Sequence, residues 1–193
     1  MGLDLSILCF FNKTIASPSL DPIMVALTTG STWVPVYLLA IILLLYYKRW
    51  AGLRLVISVA LLVGVADLAT NRIIKPLADR PRPCASAPGG GYVVEWIRLP
   101  DGARSGGSFP SSHALNNFAA AAFFISLFYK KKWVWLLIIP AFVIASTRMY
   151  LGLHYPSDTA GGIIIGSAFG YLWARLYVVV ERRFWGKGRS VFS

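Results

Sequence analysis

Two histidines occur in the chain, and each lies just before a long apolar stretch. His113 precedes one such stretch and His154 precedes another. An ionisable side chain at the edge of a bilayer is costly to place and tends to be functional. Two imidazoles at the same depth and on the same side would therefore favour acid, base or nucleophilic chemistry at that level of the membrane.

His154 is followed four residues later by Asp158, with Pro156 between them. Proline suits the first turn of a helix, so the carboxylate can fold back to the imidazole ring. A carboxylate on one ring nitrogen leaves the other unprotonated and oriented as a nucleophile. Arg148, at the end of the preceding apolar stretch, adds a cation that can bind phosphate oxygens in a bidentate manner.

Two further groups of residues are suited to bind an anion. Lys75 and Arg82 follow an apolar stretch, where headgroup binding is the ordinary role of a cation. Ser111 or Ser112 is a natural N-cap for a helix that begins near His113, and the free N–H groups of a helix start form an anion site. Capping alone would explain the serines equally well.

Asp67 and Asn71 precede Lys75 at intervals of four residues, which places all three on one face of a helix. Such a polar face must point into a bundle rather than towards lipid. It predicts a polar interior beside the histidines.

The elements that carry these residues are predicted to be transmembrane helices. Hydrophobic residues make up 56% of the 193-residue chain and the mean hydropathy is +0.62, more apolar material than a soluble core of this size needs. We expect an all-α integral membrane protein in one domain (residues 1–193), with a motif-bearing core at 67–165. Residues 1–32 are predicted to form short interfacial helices, or alternatively a sixth span. The five predicted spans are residues 33–47, 53–74, 113–129, 133–147 and 158–180.

The net charge of +11 follows the topology of these spans. Ten basic residues fall in short segments on one side, which is the positive-inside pattern and disfavours nucleic acid as the partner. We therefore expect those segments and the C-terminus to be cytoplasmic, and both histidines to lie at the outer face of the plasma (inner) membrane. The ten residues are Lys48, Arg49, Arg54, Lys130, Lys131, Lys132, Arg182, Arg183, Lys187 and Arg189.

Taken together, these residues resemble the three motifs of the type 2 phosphatidic acid phosphatase superfamily. The motifs are K-x6-R-P, P-S-G-H and S-R-x5-H-x3-D. Lys75, Arg82 and Pro83 match the first; Pro110, Ser111 and His113 match the second; Arg148, His154 and Asp158 match the third. Ser112 replaces the glycine and Thr147 replaces the serine, and neither change removes a catalytic group.

The resemblance implies a mechanism that needs no metal and no cofactor. His154 would attack phosphorus and form a phosphohistidine while Asp158 holds its ring. His113 would protonate the leaving oxygen and then act as base for water. The phosphoryl oxygens would be held by Lys75, Arg82, Ser111, Ser112 and Arg148.

A lipid phosphate or pyrophosphate is the expected substrate, in contact with membrane lipids, because the site lies at the bilayer surface. Undecaprenyl pyrophosphate is favoured, with the substrates of lipid A 1-phosphatases and phosphatidylglycerophosphate phosphatases as alternatives. The outer loop at residues 84–108, with Gly89–Gly91, Tyr92 and Trp96, is expected to form the rim that selects the headgroup. The oligomeric state is left open.

Two other classes of protein fit the sequence less well. A zinc hydrolase would need an H-E-x-x-H motif or an equivalent ligand set, and the clustered cations would repel the metal. A transporter of a phosphorylated solute would suit the intramembrane charges, but no inverted repeat is visible. The glycines that could support transport are more simply explained as a helix-packing face: Gly162, Gly166 and Gly170.

Overall fold

The computed structural model describes residues 2–186, and these residues are almost entirely helical. A π-helical turn continues the first helix (Phe10–Thr14), another joins the third helix to the fourth (Thr70–Ile74), and a 3-10 turn (Lys132–Leu137) leads into the sixth. The α-helices are α1 (Leu3–Cys9), α2 (Asp21–Thr28), α3 (Gly30–Ala69), α4 (Lys75–Ala78), α5 (Ser112–Phe128), α6 (Ile138–Tyr150) and α7 (Pro156–Trp185).

Among the described residues, three helical segments are long and apolar enough to cross a membrane: Gly30–Ala78, Lys132–Tyr150 and Pro156–Trp185. The first has 49 residues and reverses direction at Arg49, whose φ of 46° is outside the helical range. The shorter α5 is also apolar. The bent segment supplies two arms, so the helices correspond to the five predicted stretches, and the prediction of an all-α integral membrane fold is confirmed.

The two arms of the bent segment fold back on each other at Arg49. The sequence predicts a loop between residues 47 and 53, but the structure has only this one non-helical residue there. A side chain at Gly52 would overlap the backbone of Leu44, so the two arms approach closely directly after the turn. Only glycine allows this approach, because any Cβ would occupy the space of the neighbouring carbonyl group.

Helices α5 and α7 form the closest pair in the bundle. Cβ atoms added at Gly162, Gly166 or Gly170 would overlap α5, so the glycine series is a packing face. The contact brings the two helix N-termini together, and the Ser111 N–H donates to the Asp158 carbonyl over 3.0 Å. This packing therefore places the second and third sequence motifs side by side.

The N-terminal segment packs on the same end of the bundle as the motifs. The Asn12 side chain donates to the Tyr150 carbonyl over 2.6 Å, and the Tyr150 hydroxyl contacts Asp21 over 2.7 Å. Helices α1 and α2 have seven and eight residues, far fewer than the roughly 20 needed to cross a bilayer. The expectation of short helices is confirmed, and none of the candidate membrane spans among the described residues lies in this segment.

The opposite end of the bundle holds the basic segments and one buried ion pair. Arg54 and Glu181 lie 2.6 Å apart, and the Tyr177 hydroxyl donates to the same carboxylate over 2.8 Å. Of the basic residues assigned to this side, Lys187 and Arg189 lie outside the described residues.

Candidate active site

A cavity of about 480 Å³ lies at the end of the bundle where the sequence motifs meet. Six of the eight predicted site residues line it, with a further set from the N-terminal segment, the helix α3 region and the outer loop. Ser111 and Asp158 are fully buried beside it. The lining residues are Thr28, Thr29, Asp67, Asn71, Lys75, Arg82, Asp101, Arg104, Ser105, Ser112, His113, Arg148 and His154.

His154 is buried with one ring nitrogen against the guanidinium of Arg82. The Arg82 guanidinium lies 3.0 Å from Nε2 and can only donate, so Nε2 is the unprotonated nitrogen and the ring proton lies on Nδ1. Burial, reinforced by the nearby charges of Arg82 and Arg148, lowers the pKa of His154 from 6.5 to about 3. The ring is therefore neutral at physiological pH.

Asp158 is close to this ring but does not hold it by a short hydrogen bond. Its Oδ2 lies 3.6 Å from His154 Nδ1, which is too long for a direct hydrogen bond although the charge still favours a proton on Nδ1. The carboxylate is anchored instead by the Tyr155 N–H over 2.8 Å, by the Ser108 hydroxyl and by Arg80 over 2.7 Å. The predicted pairing is thus looser than expected because three other donors compete for the carboxylate.

Several buried donors in or beside this cavity have no partner among the described residues. The hydroxyls of Ser111 and Ser112 and the Nε of Arg148 make no hydrogen bond there, although each atom is buried. Ser111 is the N-cap of α5, but its hydroxyl makes no capping bond, contrary to the ordinary role of such a serine. Buried donors are normally satisfied, so these atoms are suited to an anionic ligand.

The cations of the cavity are positioned by neighbouring polar groups. Arg148 donates through Nη1 to the Thr28 hydroxyl over 2.7 Å. Lys75 donates to Asn71 over 3.0 Å, and Asn71 donates to Asp67 over 2.9 Å. The predicted polar face therefore exists as a ladder along one wall of the cavity, and Asn116 of α5 joins it by donating to Asp67 over 3.2 Å.

The outer loop at residues 84–108 contributes to the cavity through its second half. Asp101, Arg104 and Ser105 line the wall. Tyr92 packs against the cluster of Cys84 and Tyr150, Trp96 packs against the cluster of Leu8, and neither ring lines the cavity. They are drawn into small apolar clusters beneath the loop, because burial of an aromatic ring is favourable.

Four residues of the site were not singled out by their sequence position. Arg80 and Ser108 bind Asp158, Thr28 binds Arg148, and Asp4 binds Arg80. Arg80 lies within the first motif and Ser108 lies shortly before the second. Their position next to the motifs could therefore have identified both as candidate site residues. Thr28 and Asp4 carry no such signal, because only the folding of the N-terminal segment brings them here.

No group of three or more His, Cys, Asp or Glu side chains within residues 2–186 could hold a metal ion. The two cysteines in this part of the chain, Cys9 and Cys84, are both free thiols.

The family model of the PAP2 superfamily matches residues 51–182. The chain is 40% identical over 174 residues to the lipid A 4'-phosphatase of Bacteroides thetaiotaomicron, which covers 89% of this chain and 75% of that protein. It is 30% identical over 114 residues to the undecaprenyl-diphosphatase BcrC of Bacillus subtilis, covering 59% of this chain and 54% of that protein.

Two crystal structures share the fold. The PAP2 type phosphatidylglycerolphosphate phosphatase from Bacillus subtilis has a TM-score of 0.66 at 24% identity, covering 94% of this chain and 87% of that chain. Aquifex aeolicus LpxE has a TM-score of 0.66 at 21% identity, covering 91% of this chain and 96% of that chain.

Proposed function

The chain belongs to the PAP2 superfamily of membrane lipid phosphatases, and we propose that it hydrolyses its lipid substrate through a phosphohistidine at His154. The observation that carries this proposal is the state of the His154 ring. Its Nε2 is unprotonated and reaches the cavity that also contains Lys75 and Arg148. A neutral imidazole beside a cationic phosphate site has the groups that in-line attack on phosphorus requires.

In the first step, the lone pair of His154 Nε2 forms a bond to phosphorus and the bond from phosphorus to the lipid-side oxygen breaks. His113, which also lines the cavity, acts in its protonated imidazolium form and gives its proton to that leaving oxygen. Arg82 moves its donor from Nε2 to a phosphoryl oxygen, which frees the nucleophile and stabilises the growing negative charge.

In the second step, His113 takes a proton from water and the water oxygen attacks phosphorus. The phosphorus–nitrogen bond breaks, inorganic phosphate is released and His154 returns to its neutral form. The charge on the three phosphoryl oxygens is met by Lys75, Arg82 and Arg148, with the Ser111 and Ser112 hydroxyls as further donors. The scheme uses no metal and no cofactor.

We propose that the substrate is a phosphate of lipid A. This proposal rests on the 40% identity to a lipid A 4'-phosphatase over 89% of the chain. Undecaprenyl pyrophosphate, which the sequence-based interpretation favours, remains the second candidate because relatives named undecaprenyl-diphosphatase are 29–30% identical. Both substrates carry their phosphate at the surface of a bilayer, which is the level at which the cavity is proposed to open.

The test is phosphate release by the detergent-purified protein, with EDTA present, from lipid A, undecaprenyl pyrophosphate and phosphatidylglycerophosphate. We expect release from at least one lipid and none from His154→Ala. Incubation with ³²P-labelled substrate followed by denaturation should give an acid-labile, alkali-stable label on the wild type alone.

Gly64→Ala is the matched control, because this helical glycine has no atom within 4 Å of an added Cβ and lies outside the cavity lining. It should retain wild-type activity. Full activity of His154→Ala would refute the nucleophile, and loss of activity in EDTA would refute the metal-free scheme. Release from none of the three lipids would refute the proposed function and favour transport.

We also propose that the cavity faces the outer side of the plasma membrane and that the C-terminus is cytoplasmic. The support is the separation of charge: the basic segments lie at the opposite end of the bundle. In a variant without native cysteines, Ser105→Cys should react with a membrane-impermeant maleimide on intact cells and Lys131→Cys should not. Both side chains are exposed in the fold, so the reversed labelling pattern would contradict this orientation.

A further inference from the structure

Arg80 connects the carboxylate beside the nucleophile to the surface of the bundle. Its Nη1 donates to Asp158 Oδ1 over 2.7 Å and to the Ser157 hydroxyl over 2.7 Å. The guanidinium also lies 4.3 Å from the centre of the Tyr155 ring. Asp158 is completely buried, so the direction of this carboxylate depends strongly on where the arginine is held.

The other end of the guanidinium is held by Asp4 of α1. Asp4 Oδ2 accepts from Arg80 Nη2 over 2.7 Å and from the Ser157 hydroxyl over 2.6 Å. Its Oδ1 accepts from the Ser157 N–H over 2.8 Å, at the first turn of α7. One carboxylate therefore fixes both the arginine and the helix end that carries Asp158.

The charges of this group support one another. Burial alone would raise the pKa of Asp4, but hydrogen bonds from Ser157 and Arg80 lower it below its usual value. Burial would lower the pKa of Arg80, and the hydrogen bond to Asp4 with the charge of Asp158 raises it. Both groups are thus ionised at physiological pH. The Arg80 side chain is 32% exposed, and without Asp4 its Nη2 would lose its carboxylate partner while Nη1 keeps Asp158 and Ser157.

We propose that Asp4 is a positioning residue for catalysis, which acts through Arg80 to keep the charged Asp158 carboxylate beside Nδ1 of His154. The proposal rests on the phosphohistidine function above. Asp4 does not line the cavity, so it does not touch the phosphate. Helix α1, which carries none of the three motifs, thereby becomes part of the catalytic apparatus.

The first measurement is the split between kcat and KM in Asp4→Asn, which keeps the shape and removes the charge. We expect kcat to fall about 10-fold, the lower end of the loss commonly seen when an outer partner of an active-site group is removed. KM should stay within about 2-fold, because no contact with the substrate is changed. Ser6→Ala is the control on the same helix, since the Ser6 hydroxyl only bonds the Gly2 carbonyl over 3.3 Å.

The second measurement is a double-mutant cycle with Arg80→Gln. If Asp4 acts through Arg80, Asp4→Asn should cost less than about 2-fold in kcat once Arg80 is already replaced. A purely structural role, such as docking α1 on Ser157, would cost the same factor in both backgrounds. Arg80→Lys gives an independent check: it retains a cation for Asp158, loses the second nitrogen that binds Asp4, and should lower kcat as Asp4→Asn does.

The results separate this inference from the proposed function. Wild-type kcat in Asp4→Asn, a change confined to KM, or equal losses in both backgrounds would each overturn the role of Asp4 while His154→Ala remains inactive. An active His154→Ala would overturn the phosphohistidine and the positioning role with it. The melting temperature of each variant in detergent shows whether it is folded, and Arg80→Lys decides the matter if Asp4→Asn does not fold.

Discussion

Substitution of Gly162 by alanine tests whether the packing of α5 on α7 sets the geometry of the active site. A Cβ at this position would lie 2.7 Å from the Ser111 carbonyl oxygen, whereas an ordinary contact begins at 3.4 Å. The helices must therefore separate by about 0.7 Å at the point where one carries His113 and the other Asp158. A misplacement of 1 Å can cost about 100-fold in rate, so we expect kcat/KM to fall about 25-fold.

The assay is the initial rate of phosphate release in detergent from the lipid that the wild type hydrolyses best. Gly64→Ala is the matched control, because it makes the same substitution within a helix where nothing lies within 4 Å of the new atom. It should keep wild-type kcat/KM and an unchanged or higher melting temperature, since alanine is the better helix former. A folded Gly162→Ala variant with wild-type kcat/KM would refute the argument that this contact positions the two motifs.

Three further predictions follow from individual side chains. His154 should show the NMR shifts of a neutral imidazole from pH 7 down to pH 4, because burial lowers its pKa to about 3; a midpoint near 6.5, assigned with His154→Ala, would contradict this. The unfolded chain takes up this proton below about pH 6.5 and the folded chain does not, so the free energy of unfolding should decrease as the pH falls from 6.5 towards 3. Ser108→Ala should lower kcat, measured by phosphate release, about 10-fold because it removes a hydrogen bond to the Asp158 carboxylate. An unchanged kcat would show that this hydrogen bond does not contribute to activity. Glu181→Ala should lower the free energy of unfolding by roughly 3 kcal/mol in chemical denaturation, because it removes the buried carboxylate that accepts hydrogen bonds from Arg54 and from the Tyr177 hydroxyl, while kcat is unchanged; a lower kcat would show that the site depends on this distant contact.

The transmembrane architecture and most of the residues that line the cavity could be predicted from the sequence, because both depend on local order. Apolar stretches of sufficient length identify membrane helices from composition alone. Spacings of three or four residues place side chains on one helix face, which is why Asp67, Asn71 and Lys75 form a ladder as expected. The position of Pro156 likewise identified the start of α7.

The partners of Asp158 could not be predicted in this way. The spacing of His154 and Asp158 allows a hydrogen bond, but the carboxylate is shared among Ser108, Tyr155 and Arg80, and the ring lies 3.6 Å away. Which donors bind the Asp158 carboxylate depends on the relative placement of three segments, and no local sequence pattern predicts that placement. The contribution of residues 101–105 to the cavity wall is of the same kind, since a loop without regular periodicity gives no indication of which residues face inward.

The sequence by itself therefore determined the helices and the residues suited to phosphate chemistry, because periodicity and side-chain type act over a few neighbouring positions. Only the tertiary structure decided that the N-terminal segment completes the site. Thr28 reaches Arg148 across 120 positions and Asp4 reaches Arg80 across 76. Contacts at such separations arise from the packing of the whole bundle, and they leave no signal at either end of the pair.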